Sequence, residues 1–252
     1  RKFYINGAWV DPIIKKDFDV INPSNEESYA TISLGSIKDV NLAVSAAKTA
    51  FFKWSQVEKK EKIYLLEKLL QIYKNRWDEI TQTMSNEMGA PLDWASSAQT
   101  SSGADHINDF ILRLKNFEFE RIFNKTSNNY IVYEPIGICG LITPWNWPIN
   151  QITLKVIPAL ATGCTMILKP SEIAPLSGML FADLIHEAGF PPGVFNLING
   201  DGSGVGTDLS THKHIDMISF TGSTRAGKLI SKNAADTIKR VCLELGGKGG
   251  NI

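Results

Sequence analysis

The chain has 252 residues, 43% of them hydrophobic and 21% charged, which is enough apolar mass for one large core or two modest domains and too much for a disordered segment. Lys plus Arg and Asp plus Glu number 26 each, so no global positive field gathers nucleic acid or anionic lipid, and the partners expected are small molecules or other protein chains. Three cysteines, Cys139, Cys164 and Cys242, form no CxxC pair and read as reduced thiols in small core positions of a cytoplasmic protein, with no metal site expected.

No apolar run approaches the roughly 18 residues that a bilayer span requires, and the opening RKFYINGAWVDP lacks the hydrophobic stretch of a signal peptide. That opening alternates, Phe3 and Ile5 against Tyr4 and Asn6, and its Asn6-Gly7 pair predicts a short hairpin. Ser36-Ile37-Lys38-Asp39 reads as a capping box, with Val40, Val44, Ala47, Phe51 and Trp54 at helical spacing behind it. A second stripe, Ile63, Leu66, Leu70, Tyr73, Trp77 and Ile80, predicts one helix with Lys62, Glu67, Lys68 and Lys74 off its apolar face. A third helix is expected from about Leu92 to Leu114, followed by two β-rich pieces around a polar Asn/Ser turn in EFERIFNKTSNNYIVYEP.

From Pro135 onward strands alternate with helices. GICGLI is followed by a helix near Ile152 to Leu160, CTMILK by one from Ala174 to Glu187, VFNLI by a short helix after Gly204, and IDMISF by one from Thr224 to Ala235, before KRVCLEL. Five strands separated by helices predict a parallel sheet with helices on both faces, because parallel neighbours need crossover connections. Ligands of such sheets bind outside the carboxyl ends of the strands, where TPWNWP, KPSE, NGDGSGVG, TGST and ELGGK should meet.

Within those clusters the residue types suggest chemistry. The dinucleotide fingerprint GxGxxG is absent, since Gly200, Gly202, Gly204 and Gly206 are spaced two apart. Phe220-Thr221-Gly222-Ser223-Thr224 joins a strand to a helix, so its N–H groups and hydroxyls could hold a pyrophosphate, or Ser223 could be an ordinary N-cap. Lys169 and Glu172 can hydrogen-bond a ribose diol, with the carboxylate repelling a 2′-phosphate and favouring NAD over NADP. Alternatively, Glu172 belongs to the first turn of the next helix and serves its dipole. Asn146, between Trp145 and Trp147 and two prolines, offers a preorganised amide donor to a developing oxyanion, unless the tryptophans simply fill core. On the last strand Arg240, Cys242 and Glu244 share one face, and burial would raise Glu244 toward general-base values unless Arg240 or a lysine pairs with it.

TPWNWPIN, ILKPSE, ISFTGST and LELGGK, in this order, resemble the amino-terminal half of the aldehyde dehydrogenase superfamily, from YINGAWV to the last residue. The resemblance implies a Rossmann-like, doubly wound α/β fold with N-terminal helices and a small β oligomerisation arm. It divides the chain into 1–116 (hairpin and helices of the cofactor domain), 117–135 (the arm) and 136–252 (the NAD-binding core). It also implies that Asn146 donates to the oxyanion, that Glu244 activates the hydrolytic water and that Lys155 helps relay protons. Lys169 and Glu172 would bind the adenosine ribose, Ser223 a phosphate of NAD, and Ile142, Thr143 and Trp145 would line the nicotinamide side. The expected cofactor-binding set further takes in Ser171, Gly202, Gly206, Phe220, Gly222, Leu245 and Gly246.

In relatives the aldehyde is attacked by a cysteine in a Gly-Gln-Xaa-Cys stretch beyond the LELGGK glutamate, and the thioester is hydrolysed after hydride transfer to NAD. None of the three cysteines here fits that role, so the expectation is a fragment, inactive alone, of an enzyme that works as a homodimer or homotetramer. Gly249 and Gly250 depart from the Ser-Pro or Ser-Ala of many members. The competing readings are a non-catalytic nucleotide-binding module, against which the base and the oxyanion amide argue, and an acyl-phosphate reductase, which needs no water base.

Overall fold

The computed structural model of the chain describes residues 1–124 and 128–250. β1 (Phe3–Ile5) and β2 (Ala8–Val10) form the expected hairpin, and Asn6 and Gly7 both take positive φ, 53° and 80°, as a primed turn demands. A second antiparallel pair, β3 (Asp17–Asn22) and β4 (Glu27–Ser33), was not anticipated, although the alternation Asp17, Phe18, Asp19, Val20 signals it; a bulge at Val20/Ile21 interrupts its register. Ser36 opens α1 (Ile37–Trp54) with the full capping box, its amide donating to Asp39 Oδ2 at 2.8 Å.

The single helix expected from Ile63 to Ile80 is two helices, α2 (Lys59–Asn75) and α3 (Trp77–Met88). The break falls at Arg76, at φ −106° and ψ 24°, whose guanidinium bonds Glu79 in α3 and Glu187 in a distant helix. The apolar stripe passes unbroken across this joint because both helices lie on the same core. Lys62, expected off the apolar face, is buried between the rings of Trp54 and Phe119, 6.0 and 5.8 Å from their centroids. The third expected helix consists of α4 (Leu92–Trp94), a π-helical turn (Ala95–Thr100) and α5 (Ser101–Asn116). Tyr73 Oη donates to the carbonyl of Thr100 at 2.8 Å within that turn.

β5 (Glu120–Ile122) and β6 (Tyr130–Val132) form a separate antiparallel pair, with Phe117, Phe119 and Tyr133 clustered at its base. Residues 125–127 of the expected arm lie outside the described residues, as do 251 and 252. The alternating series then runs β7 (Ile138–Ile142), α6 (Pro148–Thr162), β8 (Thr165–Lys169), α7 (Leu176–Ala188), β9 (Phe195–Leu197), α8 (Thr207–Thr211), β10 (Met217–Gly222), α9 (Thr224–Ala235) and β11 (Arg240–Leu245).

These five strands are parallel, and the hairpin joins their edge antiparallel through Tyr4 opposite Leu197, giving the order β11-β10-β7-β8-β9-β1-β2. The hairpin thus extends the sheet. It is clamped by buried Asn196, whose Oδ1 accepts from Asn6 N and whose Nδ2 donates to the carbonyls of Met166 and Gly193. Strand alternation divides the core in two. Cys139, Leu141, Met166 and Leu168 pack with α2, α5, α6 and α7 on one face, whereas Ile138, Ile142, Ile167, Ile218 and Phe220 pack with α1, α8 and α9 on the other. The doubly wound parallel fold expected from the sequence is the fold observed. Among the described residues no helix is long and apolar enough to cross a membrane.

Candidate active site

From β7 the chain moves outward through β8 to β9, then returns to the other side of β7 for β10 and β11, so β7 and β10 are neighbours from which the winding diverges. Crevices form at the carboxyl ends of such a pair, because the crossovers on either side leave the gap uncovered. Here Phe220 of β10 stands opposite Ile142 of β7, and both line a cavity of about 590 Å³. Its wall also holds Glu172, Gly202 and Gly206 from the expected set. Gly222 makes room for this arrangement: a Cβ there would lie 2.5 Å from the Phe220 ring.

Sequence reasoning missed Asp201, Thr207, Arg225 and Asn233 on the same wall. Asp201 and Arg225 sit inside the NGDGSGVG and TGSTRAG segments and were legible as charges beside glycine turns. Asp201 accepts from Gly204 N at 2.5 Å and lies 3.6 Å from Lys16. A larger cavity, about 750 Å³ between Ile136, Asp216 and Arg240, lies at the opposite, amino ends of β10 and β11, where the winding creates no crevice.

Lys169 closes β8 and is only 3% exposed. Its Nζ donates to the Pro170 carbonyl at 3.0 Å and to Glu172 Oε2 at 3.2 Å. Burial lowers the affinity of this ammonium for its proton, and the Glu172 charge opposes that effect. Ser171 is buried in the same turn, its Oγ accepting from Ile173 N. Glu172 precedes α7 by four residues, so it is not a first-turn residue of that helix. Ser223 is the N-cap of α9: its Oγ accepts from Ala226 N at 3.2 Å, and its hydroxyl proton remains available to an acceptor in front of the helix. Leu245 packs against α9 beside Gly227, whose absent side chain permits the approach, and Gly246 is exposed just beyond it.

Thr143, Trp145 and Asn146 lie between β7 and α6. The buried Thr143 hydroxyl has no hydrogen-bond partner among the described residues. Trp145 is 51% exposed, and Trp147 meets Trp94 edge to face at 5.0 Å, so the tryptophans do not both serve as core. The Asn146 backbone carbonyl accepts from Gln99 Nε2 at 3.4 Å, while its side chain is exposed.

Lys155 of α6 donates to Ser219 Oγ at 3.1 Å, and its proton affinity is lowered by burial, against the raising influence of Cys242 and Glu244. Glu244 itself is exposed, not buried as expected, because residues 240, 242 and 244 form the uncovered face of the edge strand β11. For the same reason Cys242 is exposed, in contrast to the core position anticipated, while Cys139 and Cys164 are buried.

The register brings Ile142, Lys169, Gly222 and Leu245 to one rim. Alternation then separates the residues by face: the cavity with Glu172 and Phe220 opens beside α9, Lys155 of α6 meets Ser219 on the opposite face, and Glu244 stands on the uncovered continuation of that face at the sheet edge. A ligand serving both groups must cross the carboxyl ends of β7 and β10.

A family model described as the aldehyde dehydrogenase family matches residues 9–252. The chain is 51% identical to a 3-succinoylsemialdehyde-pyridine dehydrogenase of a Pseudomonas species, covering all of this chain and 52% of that protein. Among solved structures it is similar to an aldehyde dehydrogenase from Bartonella henselae, with a TM-score of 0.98 and 58% identity over 100% of this chain and 53% of that one. It is also similar to a mutant of aldehyde dehydrogenase C from Pseudomonas syringae in complex with NAD+ and octanal, with a TM-score of 0.97 and 46% identity over 100% and 51% of the two chains. The chain spans about half the length of the relatives it matches.

Proposed function

Because this chain belongs to the aldehyde dehydrogenase family, we propose that it supplies the NAD-binding part of an enzyme that oxidises an aldehyde to a carboxylic acid. The observation that carries this reading is the cavity at the divergence of β7 and β10, with a carboxylate, Glu172, on its wall and, in the turn after β7, the Thr143 hydroxyl, which has no partner among the described residues. The residues present fit a dinucleotide. Glu172, oriented by Lys169, accepts from a ribose diol and repels a 2′-phosphate, while Ser223 and the first turn of α9 offer donors to a pyrophosphate. Ile142, Phe220, Gly202, Gly206, Gly222 and Leu245 shape the cavity and its rim, and Thr143, Trp145 and Gly246 take the nicotinamide end. NAD, when bound, supplies the hydride acceptor.

On the other face the side chains divide the remaining work. The Asn146 amide donates to the aldehyde oxygen as negative charge develops there. Glu244 takes a proton from the water that releases the acid, and Lys155, bonded to Ser219, passes that proton onward. We assign none of the three cysteines as nucleophile: Cys139 and Cys164 are buried, and Cys242 lies on the base's own strand.

The chain is proposed to comprise a hairpin-and-helix portion (1–116), an oligomerisation arm (117–135) and the nucleotide core (136–252), in a cytoplasmic homodimer or homotetramer. Exposed Ile122, Tyr130 and Val132 on the arm strands support the second of these. The test is titration with NAD followed by tryptophan fluorescence, for which Trp145 and Trp147 flank the nicotinamide end; saturable quenching is expected, and its absence at millimolar NAD overturns the reading.

A further inference from the structure

Helix α7 starts at Leu176 without a side-chain cap of its own, since Pro175 occupies the capping position. The unsatisfied N–H groups of a helix start require acceptors, and a negative charge is favoured there by the dipole. The acceptors come from a residue 89 positions earlier, which adds the charge when its carboxyl is ionised. Leu176 N donates to Glu87 Oε2 at 2.5 Å, Ser177 N donates to Oε1 at 3.0 Å, and the Ser177 hydroxyl donates to the same oxygen. Glu87 belongs to the last turn of α3 and is 1% exposed.

The six residues between β8 and α7, 170–175, include Glu172 and carry a proline at each end. One end of this segment is fixed by the sheet, where Lys169 stands opposite Ile142. The other is fixed by Glu87. The dipole of α7 is therefore served from α3, which leaves the Glu172 carboxylate to Lys169 and the cavity.

We propose that Glu87 is a positioning residue for the adenosine side of the cofactor cavity, holding the Lys169–Glu172 segment in register through the first turn of α7. This rests on the cofactor reading given above. Glu87→Gln keeps the shape of the side chain but turns an amide NH₂ toward donors, so one contact with Ser177 or Leu176 becomes donor against donor. The expected result is an NAD affinity about tenfold weaker and a preference over NADP eroded as in Glu172→Gln, because a binding constellation works only when its supporting contacts hold it within about 0.5 Å of the productive geometry. A role confined to stability would lower the melting temperature and leave the affinity of the folded protein unchanged.

The experiment titrates the protein, Glu87→Gln, Ser177→Ala, Glu172→Gln and the double variant Glu87→Gln/Glu172→Gln with NAD and with NADP at pH 8, below every variant's melting temperature. If the unsubstituted protein binds neither nucleotide, the cofactor reading fails, and this inference with it. If it binds NAD and Glu172→Gln weakens that binding while Glu87→Gln leaves it within about twofold, the positioning role alone is overturned. Acting through Glu172 also requires non-additivity: the double variant should bind within about twofold of Glu172→Gln, and fully additive losses would overturn the proposal. Should Glu87→Gln fail to fold, Ser177→Ala keeps both backbone donors and carries the same test, with a loss of about threefold expected and no change overturning the inference.

Discussion

The Lys169 ammonium and the Glu172 carboxylate lie 3.2 Å apart at the carboxyl end of β8, one almost fully enclosed and the other reaching the cavity. The pair orients the carboxylate without neutralising its hydrogen-bonding capacity, since two oxygens are available and Lys169 occupies one.

Glu172→Gln leaves that ammonium its bond to the Pro170 carbonyl and a neutral amide oxygen to donate to, but removes the carboxylate charge that balances it. Removing one partner of a buried pair is costly, but Glu172 is partly solvated, so a loss of about 1 to 2 kcal/mol is expected. Lys169→Met removes the buried charge together with its desolvation cost and should be no less stable than Glu172→Gln. Both should weaken NAD binding. Thermal denaturation beside NAD titration separates the two effects, and a Lys169→Met protein much less stable than Glu172→Gln would contradict the ion-pair account.

The Asn146 side chain has no hydrogen-bond partner among the described residues and is exposed, so Asn146→Ala should leave stability within about 0.5 kcal/mol. If the amide serves the oxyanion, kcat for aldehyde oxidation by the full-length enzyme falls by about 10² to 10³. A kcat within tenfold of the unsubstituted enzyme would remove Asn146 from that role.

Burial raises the Glu87 carboxyl from its ordinary 4.5 to about 7, against the lowering influence of its bonds to Ser177 and Leu176. A folded-state value above the unfolded one means that the folded protein holds the proton more tightly. Its contribution to stability is therefore complete below pH 4.5 and is lost as pH rises through about 7. Across that window the difference in stability between the unsubstituted protein and Glu87→Gln should shrink by up to about 1.4 kcal/mol per pH unit. Chemical denaturation of both proteins from pH 5 to 8 measures it, and a difference that grows with pH would reverse the sign.

Asn196→Ala strips three hydrogen bonds from a fully buried position and leaves Asn6 N and the Met166 and Gly193 carbonyls without that partner. A cost of about 3 kcal/mol follows, read as a lower denaturation midpoint. Hydrogen exchange should show the hairpin β1–β2 opening first, because among the described residues its one registered contact with the parallel strands is Tyr4 opposite Leu197.

Much of this was legible because its causes are local. The Asn6-Gly7 turn, the Ser36–Asp39 capping box and the five apolar strand segments announce themselves within a few residues, as period and turn chemistry do. The break at Arg76 was not legible, since the stripe continues across it and one of its bonds goes to Glu187, 111 residues away. Nor was the burial of Lys62, which depends on Phe119 arriving from another segment.

The sequence by itself determined a parallel, doubly wound sheet and the short polar clusters at its strand ends, because alternating strands and helices admit few other arrangements. Tertiary structure alone decided that the cavity opens between Ile142 and Phe220, that Glu172 and Glu244 lie on opposite faces of one rim, and that Glu87 rather than Glu172 serves the start of α7. The physical reason is that pleating and winding order set which side chains share a face, and hydrogen bonds between segments nearly ninety residues apart leave no trace in local periodicity.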